Sequence, residues 1–162
     1  DYNRKPDHWL VEVSGIPFGL SGQMLEGGGN PWRGMVYGIT NRAGWTKNKP
    51  DYLWKFFDDY HFEQREMIGY WEKDCPVKTN NPELVVSVFK GSDDLVLAVG
   101  NWSGKNQTGS LLINWKNLGI KEGNAVFITP AVKDFQEEAE MNPASPIEIE
   151  GGKGIIVILK RK

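Results

Sequence analysis

The chain has 162 residues, of which 40% are hydrophobic and 25% are charged, and its formal net charge is −2. This length suits one domain of ordinary size with a real hydrophobic core. The balanced charge, with no concentrated basic patch, argues against a nucleic-acid partner. No apolar stretch approaches the roughly 20 residues of a membrane-spanning helix, so no membrane span is expected.

The first 65 residues combine Gly- and Pro-rich loops with short apolar runs. Their pattern predicts a buried strand over residues 9–13, a loop over 22–31 and a second strand over 35–39. A helix is predicted over 51–62, because Asp51 follows a proline and suits a helix start. The apolar residues that follow recur at helical spacing, on one stripe.

From residue 66 onward, the hydrophobic period is typical of strands. Residues 84–89 and 95–99, joined by a polar turn, predict a β-hairpin. The other predicted strands are 110–115, 125–129, 146–150 and 155–159. The last two are expected to pair with each other across a glycine-rich turn. The sequence therefore predicts a mainly β protein, with an antiparallel β-sandwich over residues 66–162 after a short, irregular α/β segment.

Several common signatures of enzymes do not occur in the sequence. Cys75 is the only cysteine, so an internal disulfide cannot form, and neither His8 nor His61 has a His or Cys at ligand spacing. A phosphate-binding glycine loop and a Gly-x-Ser-x-Gly elbow are also missing. We therefore expect no metal and no cofactor.

Carboxylates remain as candidate catalytic groups, because glycoside hydrolysis uses two carboxyl groups that flank the scissile bond. Glu12 lies in an otherwise apolar predicted strand, and Glu26 directly precedes three glycines. Each is a candidate acid or an acceptor for a sugar hydroxyl. The alternative interpretation makes them a strand-edge charge and a solvated loop charge.

The aromatic content is high, with 7 Trp, 5 Tyr and 7 Phe. Two loops place a Trp near an Arg, and two further Trp follow Asn near strand ends. A Trp face suits the C–H face of a sugar, whereas Arg and Asn suit its hydroxyls. Packing onto the core, with Arg reaching outward, is the alternative. The candidates for carbohydrate binding are Trp32, Arg33, Arg42, Trp45, Trp102 and Trp115.

Several motifs together resemble a known group of proteins. They include Gly-Gly-Gly-Asn-Pro-Trp-Arg-Gly-Met at 27–35, Tyr-Gly-Ile-Thr-Asn-Arg-Ala-Gly-Trp at 37–45 and Met-Ile-Gly-Tyr-Trp at 67–71. The pattern, over about residues 10–102, resembles the C-terminal stretch of large bacterial glycoside-hydrolase-like proteins, some of them near the family 123 glycosidases. The resemblance implies that residues 1–65 are the end of a catalytic (β/α)-barrel, with loops and one helix. Residues 66–162 would then be a C-terminal β-sandwich accessory domain.

The resemblance also implies a partner and a role. The partner is the catalytic barrel of the same parent protein, with the principal catalytic carboxylates expected upstream of Asp1. The chain itself is then a non-catalytic accessory domain that packs on the barrel and supplies part of the carbohydrate-site rim through Trp32, Arg33, Arg42 and Trp45. The expected ligand is an oligo- or polysaccharide, and the expected setting is periplasmic or extracellular.

Three alternatives remain open at this stage. The chain could be a free-standing carbohydrate-binding module with Trp102, Trp115 or Trp32 as the stacking platform. It could instead be a structural or protein-interaction domain whose first 65 residues cover a partner. A complete small enzyme would require a cleft in which Glu12 and a second carboxylate converge.

Overall fold

A computed structural model describes residues 6–7, 30–38 and 51–162 of the chain. This part is mainly β, with antiparallel sheets, which confirms the predicted fold class. Its helical elements are short: α1 (Pro31–Met35), α2 (Asp51–Asp59), α3 (Trp115–Leu118) and the 3₁₀ turns Phe62–Gln64 and Glu122–Asn124. Its strands are β1 (Glu66–Ile68), β2 (Val77–Thr79), β3 (Leu84–Lys90), β4 (Asp94–Asn101), β5 (Gln107–Gly109), β6 (Leu111–Ile113), β7 (Ala125–Thr129), β8 (Ala139–Met141), β9 (Ile147–Ile149) and β10 (Gly154–Arg161).

A six-stranded antiparallel sheet forms the centre of the described part. Its strand order is β1-β3-β4-β10-β7-β8, and two small sheets, β2-β6 and β5-β9, lie outside it. The predicted hairpin is confirmed, because β3 pairs with β4 from Leu84 opposite Asn101 to Lys90 opposite Leu95. The long strands β4 and β10 pair at the middle of this sheet. Their position explains why nearly every residue of β4 is buried.

Side chains of the central sheet alternate between two hydrophobic cores. On one face, Leu97, Val99 and Val157 pack in a cluster with apolar residues of β2, β6 and β9. On the other face, Val96 and Ala98 pack with residues of α1 and α2. Successive side chains of a strand point to opposite faces, so one run of apolar residues serves both cores.

The helix α2 covers part of the second face, as the sequence pattern predicted. Leu53 and Phe56 are buried against the sheet, whereas Trp54 and Lys55 are exposed. The helix ends at Asp59, earlier than the predicted end at residue 62, and a 3₁₀ turn follows. In that region the partly buried ion pair between Arg65 and Asp94, with 2.6 Å between Nη1 and Oδ1, connects the turn to the start of β4.

The predicted strand over residues 35–39 is wrong for the residues that the structure describes. Met35 is the last residue of α1, and residues 36–38 form a turn. The helix begins because the Asn30 side chain accepts a hydrogen bond of 3.0 Å from the Arg33 amide, with Pro31 at the first helical position. Gly38 follows with a positive φ of 74°, which suits glycine at the end of the turn.

The predicted pairing of the last two strands is also wrong, although both strands exist. The strand β9 pairs with β5, and β10 pairs with β4 and β7. Ile147 and Ile149 belong to the same hydrophobic cluster as Val157, so the two strands bury their apolar faces against one cluster from different sheets. The glycine-rich segment crosses between them, and Gly152 donates a backbone hydrogen bond of 2.9 Å to Ser103.

Other element predictions are adjusted or lie outside the described residues. The strand over 125–129 is confirmed, and the strand over 110–115 is shorter, because Trp115 begins α3. The predicted strand over 9–13 and most of the loop over 22–31 lie outside the described residues. The division of the chain at residues 65 and 66 stays a prediction.

Candidate functional site

The residues on either side of α1 are fixed to the central sheet by specific polar contacts. Asn30 Nδ2 donates a hydrogen bond of 2.6 Å to the carbonyl of Gly152, just before β10. Ser87 of β3, which is fully buried, donates from Oγ to the carbonyl of Val36 at 2.6 Å. The same Oγ accepts a hydrogen bond of 3.1 Å from the Tyr70 amide. Satisfied buried polar groups of this kind define one position of the segment on the sheet.

Trp32 and Arg33 lie inside this contact region and are 7% exposed each. The Trp32 ring packs edge-to-face on Phe135, with 5.5 Å between the ring centroids. Arg33 Nη2 donates a hydrogen bond of 2.8 Å to the carbonyl of Trp102, and the guanidinium lies 5.0 Å from the centroid of the Trp102 ring. Burial lowers the pKa of Arg33 from its ordinary value, yet arginine stays charged in proteins.

Four aromatic side chains form a cluster beside this contact. This aromatic cluster consists of Tyr37, Tyr70, Trp71 and Trp102. Tyr37 lies at its centre: it stacks on Trp71 with 5.8 Å between centroids and packs edge-to-face on both Tyr70 and Trp102. Such pairs add to the stabilisation from buried area alone. The cluster therefore packs the turn after α1 (residues 36–38) against residues 70–71, which follow β1.

The two tyrosine hydroxyls of the cluster are hydrogen-bonded and protonated at neutral pH. Tyr37 Oη donates a hydrogen bond of 2.6 Å to the carbonyl of Pro6 and lies 3.3 Å from Tyr70 Oη. Tyr70 Oη lies 3.4 Å from Asp7 Oδ1, which is a long contact. Burial raises the pKa of Tyr37 and of Tyr70 above the ordinary value for tyrosine, because it disfavours the charged phenolate.

The predicted site residues have different places in the structure. The fold brings Trp32, Arg33 and Trp102 together, and both Trp rings are buried. Trp115 lies apart from them, half-buried in the other core, where it packs edge-to-face on Phe127. Carbohydrate binding by these residues stays a prediction, and the geometry gives each of them a packing role.

The other predicted site residues are not described. The candidate carboxylates Glu12 and Glu26 lie outside the described residues, as do Arg42 and Trp45. Their proposed roles stay predictions.

Sequence reasoning did not select three residues of this region. Tyr37, Tyr70 and Trp71 occur in motifs that the resemblance rests on, but no spacing rule connects residues 37 and 70. Trp71 is 43% exposed, and Trp54 is the other exposed Trp of the described residues, at 41%. The signal available in the sequence was the Tyr-Trp pair at 70–71, directly after Gly69.

A concave surface lies at the other end of β4. This cleft is lined by Tyr60, His61, Gln64 and the turn between β3 and β4. His61 has a positive φ of 50°, which is uncommon for a residue other than glycine. The Arg65–Asp94 ion pair also borders the cleft.

The described residues offer no group of three or more His, Cys, Asp or Glu side chains that could hold a metal ion. Among the same residues, no helix has the length and apolarity needed to cross a membrane.

The fold and the contact region together define a mainly β domain to which a short helical segment is fixed by buried aromatic and polar contacts. Residues 49–160 match the model of the glycoside hydrolase 123 C-terminal domain, and residues 1–44 match the model of the glycoside hydrolase 123 TIM-barrel domain. The chain therefore belongs to the glycoside hydrolase 123 family, as the C-terminal part of such a protein, and the resemblance seen in the sequence is confirmed. A comparison with curated proteins found no match.

The two matched regions meet at the contact region described above. The helix α1 and the turn after it fall within the part matched by the TIM-barrel domain, whereas α2 and the strands fall within the C-terminal domain match. The contacts of Asn30, Arg33 and Tyr37 thus join the two regions.

Proposed function

We propose that this chain is the accessory domain on which the catalytic barrel of a glycoside-hydrolase-like protein docks. The main support for the proposal is the burial of residues 31–38. These residues belong to the TIM-barrel match, and they pack on the central sheet of the C-terminal domain. In this function α1 is the part of the barrel end that the sheet holds in place. The expected setting of the parent protein is periplasmic or extracellular.

The character of the contact supports stable docking rather than a loose tether. Met35, Val36 and Tyr37 are at most 3% exposed and share one hydrophobic cluster with the sheet. Interfaces between stable partners resemble domain cores, and buried aromatic and Arg residues are typical of their energetic centres. Trp32 and Arg33 are the buried aromatic residue and the buried arginine of this contact.

Catalysis is assigned to the barrel. A complete barrel of this type needs about 250 residues, and its active site draws on the loops after several strands. The 44 residues matched by the TIM-barrel domain are too few to build one. In this proposal the parent protein supplies the catalytic carboxylates. We propose that Arg42 and Trp45, which follow α1 along the chain, contribute to carbohydrate binding in the parent protein.

The test compares the 162-residue chain with a longer protein that includes the whole barrel. We expect the longer protein to hydrolyse at least one aryl glycoside of a broad panel and the 162-residue chain to hydrolyse none. We also expect Ser87→Ala to lower the free energy of unfolding of the longer protein by about 2 kcal/mol, because it leaves the Val36 carbonyl and the Tyr70 amide without their buried partner.

The matched control is Ser92→Ala, because Ser92 is exposed in the turn between β3 and β4. We expect this variant to unfold like the wild type. Turnover by the 162-residue chain, or equal stability of the Ser87 and Ser92 variants, would contradict the proposal.

A further inference from the structure

Trp71 is an exposed aromatic side chain whose orientation is fixed by its surroundings. It stacks on Tyr37 and packs edge-to-face on Tyr70, with ring centroids 5.8 and 5.2 Å away, respectively. Gly69 lies so close to the ring that a Cβ there would overlap it. The residue nevertheless stays 43% exposed. A large apolar ring that is held in place and exposed to solvent is a ready surface for a ligand.

Tyr70, whose ring packs on Trp71, brings polar groups that can bind hydroxyls. The Tyr70 hydroxyl makes long contacts of 3.3 Å to Tyr37 Oη and 3.4 Å to Asp7 Oδ1. The Asp7 carboxylate is exposed and can accept further hydrogen bonds, since an ionised carboxylate has about four acceptor positions. An aromatic ring beside a carboxylate and a phenol suits a molecule with one apolar face and a rim of hydroxyls.

We infer that Trp71, Tyr70 and Asp7 form a binding subsite for an uncharged saccharide. The ring takes the C–H face of a sugar residue, and the Tyr70 hydroxyl and the Asp7 carboxylate bind its hydroxyls. The inference rests on the proposed function, because it assigns these residues to the carbohydrate-site rim of the barrel-containing protein. Their position supports this, since Asp7 and Tyr37 lie in the part matched by the TIM-barrel domain and Trp71 lies in the C-terminal domain match.

Charge favours a neutral sugar over an acidic one. Asp7 brings one carboxylate to Tyr70, and Glu72 brings a second, which accepts a hydrogen bond of 2.7 Å from the Gly69 amide. Both are exposed. The carboxylates of Asp7, which contacts Tyr70, and of Glu72, which follows Trp71 in the chain, repel the carboxylate of a uronic acid.

The test measures binding of methyl glycosides of neutral hexoses, with and without an N-acetyl group, to the full 162-residue chain. Methyl glucuronide serves as the acidic comparison, and saturation-transfer NMR reports which sugar protons meet the protein. We expect a neutral glycoside to bind through its C–H face. Trp71→Ala should raise its Kd by about three- to tenfold, the size of one lost aromatic contact, and Trp71→Phe should restore part of the affinity.

The matched control is Trp54→Ala, which removes a Trp of nearly equal exposure on α2. We expect it to leave the Kd unchanged, and the melting temperatures of all variants report whether they fold. Binding by none of the neutral glycosides would overturn the inference, and so would equal Kd values for wild type and Trp71→Ala.

The same result separates this inference from the docking proposal. Docking is measured by the stability of the barrel-containing protein and by the Ser87 variant. A protein that docks but whose Trp71 binds no glycoside contradicts the subsite alone. If Trp71 binds a glycoside but Ser87→Ala leaves the stability of the barrel-containing protein unchanged, the docking proposal alone is contradicted.

Discussion

At the scale of single residues, the contact between α1 and the sheet depends on side chains whose polar ends are satisfied although they are buried. Ser87 is the clearest case, because its buried hydroxyl donates to the Val36 carbonyl and accepts from the Tyr70 amide. Arg33 adds a buried charge, whose Nη2 donates to the Trp102 carbonyl and whose guanidinium lies near the Trp102 ring. Leaving such a buried charge without partners is costly. The identity of this residue therefore matters for the position of α1 on the sheet.

The two tyrosine hydroxyls of the aromatic cluster predict a loss of stability at high pH. Burial raises the pKa of Tyr37 and Tyr70, so the folded chain holds these protons more tightly than the unfolded chain. In the unfolded chain the pKa of a tyrosine is about 10. The stabilisation is complete below about pH 10 and is lost as the pH rises above it, because the unfolded state then binds fewer protons than the folded state.

Urea unfolding from about pH 8 to about pH 11 checks this prediction. We expect the double variant Tyr37→Phe, Tyr70→Phe to lose less stability over this range than the wild type. Tyr52→Phe is the control, because its hydroxyl lies outside the aromatic cluster. Equal slopes for wild type and double variant would contradict the prediction.

Residue types in the sequence indicated which side chains were important but not what they do. Trp32 and Arg33 stood out beside a glycine-rich run, yet the sequence left sugar contact and core packing open. The choice depends on Trp102, which lies far along the chain and reaches Arg33 only through the fold. Contacts of such long range leave no local pattern in a single sequence.

At the scale of elements, Gly154 is a position where α1 and two strands approach one another closely. A Cβ at this position would fall on the Val99 carbonyl of the neighbouring strand, with Trp32 Cβ 3.1 Å away. The backbone oxygen cannot move aside without disturbing the pairing of β10 with β4. Only glycine therefore allows this approach of helix and sheet.

We expect Gly154→Ala to lower the free energy of unfolding by about 2 kcal/mol, in the range of overpacked cores. Gly123→Ala is the matched control, since a Cβ there meets no atom within 4 Å. Chemical denaturation of the two variants gives the comparison. A Gly154 variant as stable as the Gly123 variant would show that the strand and α1 are less closely packed than described.

Element prediction succeeded where the signal was local. The hairpin of β3 and β4 and the helix α2 followed from hydrophobic period and turn residues. It failed over residues 35–39, where the cap at Asn30 and Pro31 outweighs the β-branched and aromatic residues that follow. The pairing of β9 was missed because a glycine-rich turn indicates a change of direction and does not specify which sheet receives the next strand.

At the scale of the whole molecule, the central sheet has two covered faces with different origins. One face is covered by strands of the C-terminal domain itself, and the other by α1 and α2. Because α1 falls within the TIM-barrel match, the second core is shared between the two matched regions. The sequence predicted the order of these regions along the chain, but their shared core depends on contacts among residues more than 50 positions apart.

Hydrogen exchange of the 162-residue chain, read by mass spectrometry, tests directly whether α1 is part of the same folded core as the central sheet. The amides of Gly34, Tyr37 and Gly38 are hydrogen-bonded within the segment that the sheet holds. We expect them to exchange as slowly as the amides of β4 and β10, since one core opens as one unit. Exchange of residues 30–38 at the rate of an unfolded peptide, while β4 and β10 stay protected, would contradict this expectation.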